Sequence, residues 1–524
     1  MMRPMIALAL CGVAATSAAA RQRPTPPGST EPRPAESRAE APRPPERAEE
    51  LKEKTSVTKH TIDIGGQAIR YTATAGTILL RDDKDKVQAS VFYVAYTRDD
   101  VTDRAKRPIF YSFNGGPGTA SVWMHMGFTG PRRVVYDDEG FMLTPPFRLA
   151  TNEHTILDVA DIVFIDPVGT GYSKMAPGED VHKFHGVMDD IRSVGEFIRI
   201  YTTRNSRWDS PKFLIGESYG TTRAAGLVGH LQQQHQMYFN GVIMVSMTGL
   251  DYQAGTDLGH ALLLPHYTAT AWYHKALPPE LQSKPLKTVL QEAEPFAIGP
   301  YLDALVKGDA ITSAERDTAS AQIARFTGLP ASYVANNNLR VSPQRFRKEL
   351  LRERGLTVGR LDSRYTGKDR DAAGETNEFD PAMEAWNGPF TAVINTYFRD
   401  ELKWETDQKY NIWGDVRPWR RDEGVNTGEM LRRAMTQNPY LRVLVLAAYY
   451  DGATDYFTAR HVMSHLDPGG TIKDRVSFAY YESGHMMYVR RSDLAKSKQY
   501  LAQFVSAALS KGAPPPRPPT SAAR

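Results

Sequence analysis

Short apolar runs that alternate with stretches of helical spacing constrain the fold of this chain most strongly. The apolar runs with the length of strands are ASVFYVAYT, RPIFYSFN, DIVFIDPV, KFLIGES, FNGVIMVSM, LRVLVLAAYY and RVSFAYY. Several are continuously apolar, as strands are in a sheet covered on both faces. Helical spacing is found in MDDIRSVGEFIRIYTTR, TTRAAGLVGHLQQQHQ and SDLAKSKQYLAQFVSAAL. This alternation predicts an α/β fold with a mostly parallel central sheet.

The 524-residue chain changes character along its length. Between residues 251 and 435 strand signals nearly vanish and helical segments such as PLKTVLQEAEPFA and SPQRFRKELLRER predominate. RQRPTPPGSTEPRPAESRAEAPRPPERAEE near the start and GAPPPRPPTSAAR at the end hold too few apolar residues to offset the entropy of ordering. We therefore predict a disordered linker over 21–54, a first core part over 55–250, a largely helical insertion or cap over 251–435, a second core part over 436–511 and a Pro-rich tail over 512–524.

The first residues, MMRPMIALALCGVAATSAAA, predict a cleavable signal peptide over 1–20. A basic residue precedes an apolar run from Met5 to about Ala15, and small residues follow. A short membrane anchor is the alternative, but the run is shorter than the ~20 residues that a membrane span needs. A lipoprotein site at Cys11 is disfavoured because the bulky Leu10 precedes it. We expect a periplasmic or secreted protein without stable membrane insertion.

Cysteine content and charge narrow the chemistry further. Cys11 is the single cysteine, so the cleaved protein has no disulfide, thiolate nucleophile or cysteine metal site. The net charge is only +4 and no dense basic run occurs, so nucleic acid is not a predicted partner. No His-Glu-x-x-His or similar ligand cluster is present, and we predict no metal and no organic cofactor. Small or peptidic partners remain, and the oligomeric state is not predicted.

The stretch KFLIGESYGTTRAAG contains a candidate nucleophile, Ser218. It has the spacing Gly-x-Ser-x-Gly, follows an apolar strand and precedes a helix. In a sharp strand-to-helix turn, small residues such as Gly216 and Gly220 avoid clashes two positions before and after the serine. A tight turn with a surface serine has the same pattern, so this segment alone leaves both readings open.

A serine nucleophile needs a base and a group that orients the base, and both are expected downstream at strand ends. His485 follows the strand RVSFAYY through a short turn, and Asp451 stands at the end of LRVLVLAAYY. Asp455 is the alternative acid, but its position favours a turn or helix cap. Among the other downstream histidines, His260, His266 and His274 lie in or near the inserted region, and His461 and His465 fit a helix after the strand.

Two backbone N–H groups are needed to stabilise the oxyanion of a serine reaction. The residue after the nucleophile, Tyr219, supplies one of them. The glycine-rich loop NGGPG at residues 114–118, which follows the strand RPIFYSF, is the expected source of the second. This loop lacks the Lys-Ser/Thr ending of a P-loop and the spacing of a dinucleotide-binding loop.

Five motifs in this order, FNGGPGTAS, DPVGTGYS, GESYG, YYDGATDYF and SGHMMY, resemble those of the serine carboxypeptidase family, over roughly Phe92 to Tyr488. The resemblance implies an α/β-hydrolase fold whose helical insertion shapes the cleft. It also implies that peptide substrates lose C-terminal residues through an acyl-enzyme. The implied roles are nucleophile for Ser218, base and acid for His485, orienting carboxylate for Asp451, and oxyanion hole for the N–H groups of Gly116 and Tyr219.

The resemblance also implies that Asn114 and Glu217 bind the terminal carboxylate of the substrate. Two carboxyl groups bind each other only if one holds a proton, so burial and like charge should raise the pKa of Glu217. Three departures from the family pattern affect this region: Ser112 replaces a tryptophan, residues 118–121 read GTAS without a cysteine, and Phe128 replaces a second glutamate. The missing cysteines fit a bacterial, disulfide-free branch.

These departures leave other functions open. An esterase or acyltransferase uses the same acyl-enzyme chemistry, and a non-catalytic envelope binding protein retains the same fold. The segment YNIWGDVRPWRR, at residues 410–421, is equally compatible with lining the cleft and with packing at a domain junction.

Overall fold

A ten-stranded sheet forms the centre of the computed structural model, which describes residues 51–250, 255–421 and 424–510. In chain order, the strands of these residues are β1 (Thr55–Ile64), β2 (Gln67–Arg81), β3 (Val87–Arg98), β4 (Ile109–Phe113), β5 (Arg132–Val134), β6 (Leu149–Thr151), β7 (Asp161–Ile165), β8 (Lys174–Met175), β9 (Lys212–Glu217), β10 (Gly241–Val245), β11 (Thr357–Val358), β12 (Thr366–Gly367), β13 (Arg442–Ala448) and β14 (Val476–Tyr481). The short strands β5 with β6 and β11 with β12 form two separate antiparallel pairs.

The α-helices of the same residues surround the sheet. They are α1 (Val187–Arg204), α2 (Tyr219–His235), α3 (Asp257–Tyr273), α4 (Pro279–Gln282), α5 (Leu286–Phe296), α6 (Leu302–Val306), α7 (Ser313–Thr327), α8 (Ala331–Asn336), α9 (Pro343–Glu349), α10 (Pro381–Asp400), α11 (Thr427–Gln437), α12 (Tyr456–His465) and α13 (Arg491–Leu509). None of the helices in the described ranges is both long and apolar enough to cross a membrane.

The strand order is β1-β2-β3-β7-β4-β9-β10-β13-β14, and β8 pairs with β3. Neighbours from β7 to β14 are parallel, whereas the pairs of β1 with β2, β2 with β3 and β3 with β7 are antiparallel. Parallel strands need crossover connections, and helices such as α1 and α2 supply them. The predicted α/β class with a mostly parallel sheet is confirmed, and every apolar run predicted as a strand forms one.

Both faces of the sheet are covered, which explains why the central strands are apolar without alternation. On β4, Tyr111 belongs to a core that includes residues of α1 and α2, while its neighbour Phe110 belongs to a core that includes residues of α10 and α13. Successive side chains of a strand point to opposite faces, so a strand buried on both sides must be apolar throughout.

The antiparallel strands β1 and β2 are missing from the sequence prediction. They form a hairpin around Gly65 and Gly66, both with positive φ (61° and 81°), and Ile64 pairs with Gln67. Two consecutive residues with positive φ are the requirement of a type I′ turn, for which Gly-Gly is a favoured sequence. The alternation of β-branched and polar residues in TSVTKHTIDI was therefore a usable signal.

Between β10 and β13 the described residues contain helices α3 to α11 and only the two-residue strands β11 and β12. The division of the chain into core and insertion at residues 251 and 435 remains a prediction. The predicted signal peptide and tail, and most of the predicted linker, lie outside the described residues, and residues 51–54 have no regular secondary structure.

Because β4, β9, β13 and β14 run parallel, their carboxyl ends meet at one edge of the sheet. Asn114 follows β4, Ser218 follows β9, and the loops after β13 and β14 carry Asp451 and His485. This edge is where ligands bind in parallel α/β sheets.

Candidate active site

Ser218 occupies a sharp turn between β9 and α2. Its backbone has φ 58° and ψ −127°, a conformation that residues other than glycine seldom adopt. The Ser218 N–H donates to the carbonyl of Val245 at the end of β10 (3.0 Å). The Thr221 hydroxyl donates to the carbonyl of Ser218 (2.7 Å). These contacts hold the serine in a strained turn at the carboxyl edge of the sheet.

Glycines make this turn possible. A Cβ on Gly216 would overlap the carbonyl oxygen of Gly220, so larger side chains do not fit two positions from the serine. The glycine-rich loop lies directly on the turn, because a Cβ on Gly115 would stand 2.5 Å from the backbone nitrogen of Tyr219. The next residue, Gly116, has φ 102°, which favours glycine. The backbones of the two predicted oxyanion elements are therefore in close contact.

His485 and Asp451 form a buried pair. The Nδ1 atom of His485 lies 2.8 Å from Oδ2 of Asp451, and Asp451 is fully buried. The hydroxyl of Thr454 donates to the same Oδ2 (2.6 Å), and the N–H groups of Ala453 and Thr454 donate to Oδ1 (2.9 and 3.0 Å). The Asp451 carboxylate is thus fixed in the orientation in which it contacts the imidazole.

Asp455, the alternative acid, has a different environment. It caps α12, and its carboxylate accepts a hydrogen bond from the N–H of Thr458 (2.8 Å). Burial raises the pKa of Asp455 to about 6. Asp451 is therefore the acid in contact with His485.

The charges of the pair stabilise each other. Burial acts to raise the pKa of Asp451, but the charge of His485 and the hydrogen bonds from His485 and Thr454 outweigh it, so the pKa is lowered. Burial likewise acts to lower the pKa of His485, but the carboxylates of Asp451 and Glu217 outweigh it and raise the pKa. The pair favours an ionised Asp451 that stabilises a protonated His485.

The turn that carries His485 is held by a segment that the sequence prediction did not single out. The His485 N–H donates to the carbonyl of Leu361 (2.7 Å), and the N–H of Gly484 donates to Asp362 (3.2 Å). Asp362 forms a fully buried ion pair with Arg364 (2.6 Å). Residues 361–364 lie in the predicted insertion, so that part of the chain helps to position the histidine.

Ser218 and His485 line one cavity of about 130 Å³. Asn114, Gly116 and Glu217 line it too, so the cavity gathers most of the predicted site residues. Asp451 lies behind His485. We call this cavity the cleft.

The aromatic segment at residues 410–421 contacts the cleft. Trp413, which is 48% exposed, lines it together with the buried Trp123 and Trp386. Trp419 packs edge-to-face on the ring of Tyr219, with centroids 5.3 Å apart. Both readings left open for this segment have support, because Trp413 lines the cleft whereas Tyr410 and Ile412 are buried in the core.

Glu217 is buried beside the serine and accepts two hydrogen bonds. The side-chain amide of Asn114 donates to Oε1 (3.0 Å), and the hydroxyl of Tyr488 donates to Oε2. The carbonyl oxygen of the Asn114 side chain accepts from the N–H of Met124 (3.0 Å), which fixes the amide orientation. Burial is the main cause that raises the pKa of Glu217, to about 7. The predicted direction of this shift agrees with the structure.

Tyr488 was not predicted as a site residue. Its ring is stacked on Phe128, with centroids 5.0 Å apart and planes 9° from parallel. Phe128 stands where the resemblance implies a second glutamate, so an aromatic ring here replaces one of two carboxyl groups, and Glu217 is the one that remains. Tyr488 lies three residues after His485 in SGHMMY, and this short separation could have indicated that Tyr488 lies near the site.

A second group absent from the sequence prediction connects the loop to the turn. The guanidinium of Arg223, on α2, donates to the backbone carbonyl of Asn114 (2.6 Å) and to Asp190 (2.7 Å). The hydroxyl of Tyr219 donates to the same Asp190 carboxylate (3.1 Å). Arg223 is 1% exposed, so this ion pair is buried under the cleft. In the sequence, the local indication of this buried ion pair was an arginine among small residues in TTRAAG.

Comparisons with known proteins agree with this geometry. A family model described as serine carboxypeptidase matches residues 71–277. The pheromone-processing carboxypeptidase KEX1 of Saccharomyces cerevisiae is 32% identical over 126 residues, which cover 22% of this chain and 16% of the yeast protein. The protein of the same name from Yarrowia lipolytica is 27% identical over 176 residues, which cover 33% of this chain and 26% of that protein. The chain thus matches about a sixth to a quarter of the length of these relatives.

The fold has a solved counterpart. The crystal structure of KEX1(delta)p, a prohormone-processing carboxypeptidase from Saccharomyces cerevisiae, superimposes with a TM-score of 0.51. The superposition covers 83% of this chain and 91% of that one, at 16% sequence identity. This likeness concerns the fold, which is that of the α/β hydrolases. The resemblance drawn from the motifs is confirmed, because residues 71–277 match the model of the serine carboxypeptidase family.

Proposed function

We propose that this chain is a serine carboxypeptidase that hydrolyses the last peptide bond of its substrates through an acyl-enzyme. The observation that carries the proposal is the convergence on one cleft of Ser218, His485 and the Glu217–Asn114 pair. Asp451 contacts His485 from behind, at 2.8 Å. Ser218 and the Glu217–Asn114 pair lie within the matched residues 71–277, whereas Asp451 and His485 lie outside them, so their roles rest on this geometry.

In the first step, Oγ of Ser218 attacks the carbonyl carbon of the last peptide bond. Nε2 of His485 takes the hydroxyl proton as the C–O bond forms, and Asp451 stabilises the imidazolium. The C–N bond then breaks, and His485 returns the proton to the nitrogen of the leaving amino acid. A water molecule then attacks the ester carbon and loses its proton to His485. The ester C–O bond breaks, the shortened peptide leaves, and His485 returns the proton to Oγ of Ser218.

The oxyanion formed in each step is stabilised by the backbone N–H groups of Gly116 and Tyr219. The close packing of the glycine-rich loop on the turn supports this role, because it brings both backbones to the carbonyl that Ser218 attacks. The Asp190–Arg223 ion pair fixes both sides, through the carbonyl of Asn114 and the hydroxyl of Tyr219. Preorganised donors of this kind are worth roughly 10²–10³ in rate.

The Glu217–Asn114 pair binds the terminal carboxylate of the substrate. The amide of Asn114 and a protonated Glu217 are both donors, and a pKa of about 7 keeps Glu217 protonated in mildly acidic solution. Burial supplies this shift here without a second glutamate. Carboxylate recognition is therefore compatible with Phe128, since Tyr488 satisfies the other oxygen of Glu217.

An esterase or acyltransferase activity is the second candidate. The aromatic pair of Phe128 and Tyr488 favours it, since one carboxyl group of the family pattern is absent. The tryptophans Trp123, Trp386 and Trp413 give the cleft an apolar surface as well. An ester lacks the terminal carboxylate, so such a substrate would not need Glu217.

We also propose that the protein is exported and acts in the periplasm or outside the cell after cleavage near residue 20. The basic residue, apolar run and small residues of 1–20 support this location. Sequencing the N-terminus of the protein recovered from periplasm and medium tests it, and a mature protein that retains residues 1–20 would contradict it.

Two experiments test the proposed activity. Labelling with a fluorophosphonate, followed by peptide mass mapping, should modify Ser218 in the native chain and nothing in Ser218→Ala. A binding protein without catalysis would remain unlabelled. Comparing an N-blocked dipeptide with its C-terminal amide and its ester separates the two enzymatic candidates, because a carboxypeptidase prefers the free carboxylate and an esterase cleaves the ester regardless.

A further inference from the structure

A second, larger cavity adjoins the cleft. It has a volume of about 430 Å³ and shares Arg360 with the cleft. Thr454, whose hydroxyl donates to Asp451, lines it as well. We call it the arginine cavity, because Arg347 and Arg360 both line it. None of the roles proposed above uses this space.

Arg347 is a buried cation that forms no ion pair within the described residues, although the carboxylate of Asp380 acts on it electrostatically. It lies on α9 and is 8% exposed. Within residues 51–250, 255–421 and 424–510, its guanidinium has no hydrogen bond and no ion pair. Arginine stays protonated at any ordinary pH, so a buried, unpaired guanidinium is costly and is normally matched by an acceptor. A ligand carboxylate in this cavity would supply such an acceptor.

Arg360 adds a second positive charge at the junction with the cleft. Its backbone is anchored, since its N–H donates to Asp380 (3.1 Å) and its carbonyl accepts from the N–H of Gly452 (3.0 Å). Its side chain is exposed, and the part of the chain that the structure describes offers it no ion pair. An anchored backbone with a free guanidinium suits contact with a substrate.

The remaining walls of the arginine cavity fit the stem of a side chain. Met247, Leu250 and Val462 are apolar and buried. Among the lining residues that the structure describes, Asp455 is the one acid; it caps α12 and forms no hydrogen bond or ion pair with either arginine. The cavity therefore combines apolar walls with two guanidinium groups that form no ion pair within the described residues.

The sheet order places this cavity on the acyl side of the scissile bond. β4, which leads to Asn114 and Gly116, pairs with one edge of β9, and β10 pairs with the other. Met247 and Leu250 follow β10, and Thr454 follows its neighbour β13. A substrate whose terminal carboxylate is held beside Asn114 extends its acyl part past Ser218 towards β10 and β13.

We propose that the arginine cavity binds a carboxylate-bearing side chain of the residue before the scissile bond, so that the enzyme prefers substrates with glutamate or aspartate there. The methylene groups of the side chain contact the apolar walls, and its carboxylate pairs with Arg347 and Arg360. Arginine binds carboxylates with two parallel hydrogen bonds, which gives specificity over the neutral amide. The inference deepens the proposed function and rests on its acyl-enzyme step.

The test compares p-nitrophenyl esters of N-acetyl-glutamate, N-acetyl-glutamine and N-acetyl-leucine. Release of p-nitrophenol needs the nucleophile but no terminal carboxylate, so the result does not depend on the Glu217–Asn114 pair. We expect kcat/KM for the glutamate ester to exceed that for the glutamine ester about tenfold, as for one well-made charged contact. Arg347→Gln and, separately, Arg360→Gln should lower this ratio towards one.

Arg345→Gln is the matched control. Arg345 lies two residues away on α9 and pairs instead with Glu375 (2.8 Å), so its loss should leave the ratio unchanged. If Arg347→Gln fails to fold, Arg360→Gln still tests the proposal, because Arg360 is exposed and its replacement should not affect folding. In Arg360→Glu, the preference should move towards an N-acetyl-lysine ester.

A ratio near one in the native enzyme, or a ratio that neither arginine variant changes, would overturn the proposal. If no ester is cleaved, the proposed catalysis is wrong. The acidic subsite can then still be tested by measuring binding alone. Calorimetry with Ser218→Ala should detect tighter binding of N-acetyl-Glu-Leu than of N-acetyl-Gln-Leu. Equal affinities would reject the acidic subsite.

Discussion

The hydroxyl of Tyr488 donates a hydrogen bond to the buried carboxyl of Glu217, although 271 residues separate the two in sequence. This contact ties the loop that carries His485 to the residue directly before Ser218. It leaves Glu217 with two neutral donors, Asn114 and Tyr488, and with a pKa raised mainly by burial to about 7.

Replacing Tyr488 with phenylalanine tests what this hydroxyl contributes. The variant keeps the stacking on Phe128 but leaves one oxygen of Glu217 without its donor. Because a hydrogen bond between neutral groups is worth about 0.5–1.5 kcal/mol net, KM for a blocked dipeptide with a free carboxylate should rise by a factor of roughly two to ten. Cleavage of a p-nitrophenyl ester should change little. Tyr440→Phe, at an exposed tyrosine, is the control.

Cleavage of free-carboxylate peptides should weaken as Glu217 ionises. With a pKa of about 7, Glu217 is protonated below pH 7 and donates to the substrate carboxylate, whereas above pH 7 it repels it. KM for the dipeptide should therefore rise above pH 7, while KM for its amide stays flat. Glu217→Gln should remove this rise, and a KM profile that rises equally in the variant would contradict the assignment.

The same shift predicts a change in stability with pH. The folded state raises the pKa of Glu217 from 4.5 to about 7, so between these values folded protein holds a proton that unfolded protein releases. The Glu217 contribution to the free energy of unfolding is greatest below pH 4.5 and decreases as pH rises towards 7. The free energy of unfolding of the native chain and of Glu217→Gln can be measured with urea at pH 5 and pH 7.5. It should fall less between these two pH values in the variant than in the native chain.

The two acids after β13 should differ sharply when each is changed to asparagine. Asp451→Asn removes the carboxylate that contacts His485, and we expect kcat to fall about 10⁴-fold, as when the acid of a serine triad is replaced. Asp455→Asn should retain most of the activity and stability, because asparagine is an equally good helix cap. A comparable loss in both variants would reject Asp451 as the orienting acid.

Gly115→Ala tests the packing of the glycine-rich loop on the turn. The added Cβ would meet the backbone nitrogen of Tyr219 at 2.5 Å and displace one of the proposed oxyanion donors. We expect kcat to fall about 10²-fold, as for the loss of one such donor. Gly299→Ala, where an added Cβ meets nothing within 4 Å, should leave kcat unchanged.

The sequence was sufficient where local chemistry determines the structure. The turn at Ser218 was predictable because Gly216 and Gly220 meet a steric requirement within five residues. Asp451 and His485 were placed after their strands by the apolar runs alone. The hairpin of β1 and β2 was missed, although Gly65 and Gly66 are typical of its turn.

Contacts between distant parts of the chain were not predictable in the same way. The hydroxyl of Thr454, the support of His485 by Leu361, and the pairing of Arg223 with Asp190 depend on how helices pack on the sheet. Likewise, no pattern in the sequence predicts that Arg347 of α9 lies at a cavity beside β10 and β13. The departure at Phe128 was visible in the sequence, but its stacking partner Tyr488 was not.

Mass spectrometry of one peptide and its C-terminal amide tests the central claim most directly. Incubated with the mature enzyme, the free-carboxylate peptide should lose its last residue first and then successive residues from that end, while the amide stays largely intact. Ser218→Ala should release nothing from either. Internal cleavage, equal loss from peptide and amide, or release by Ser218→Ala would contradict a carboxypeptidase that acts through Ser218.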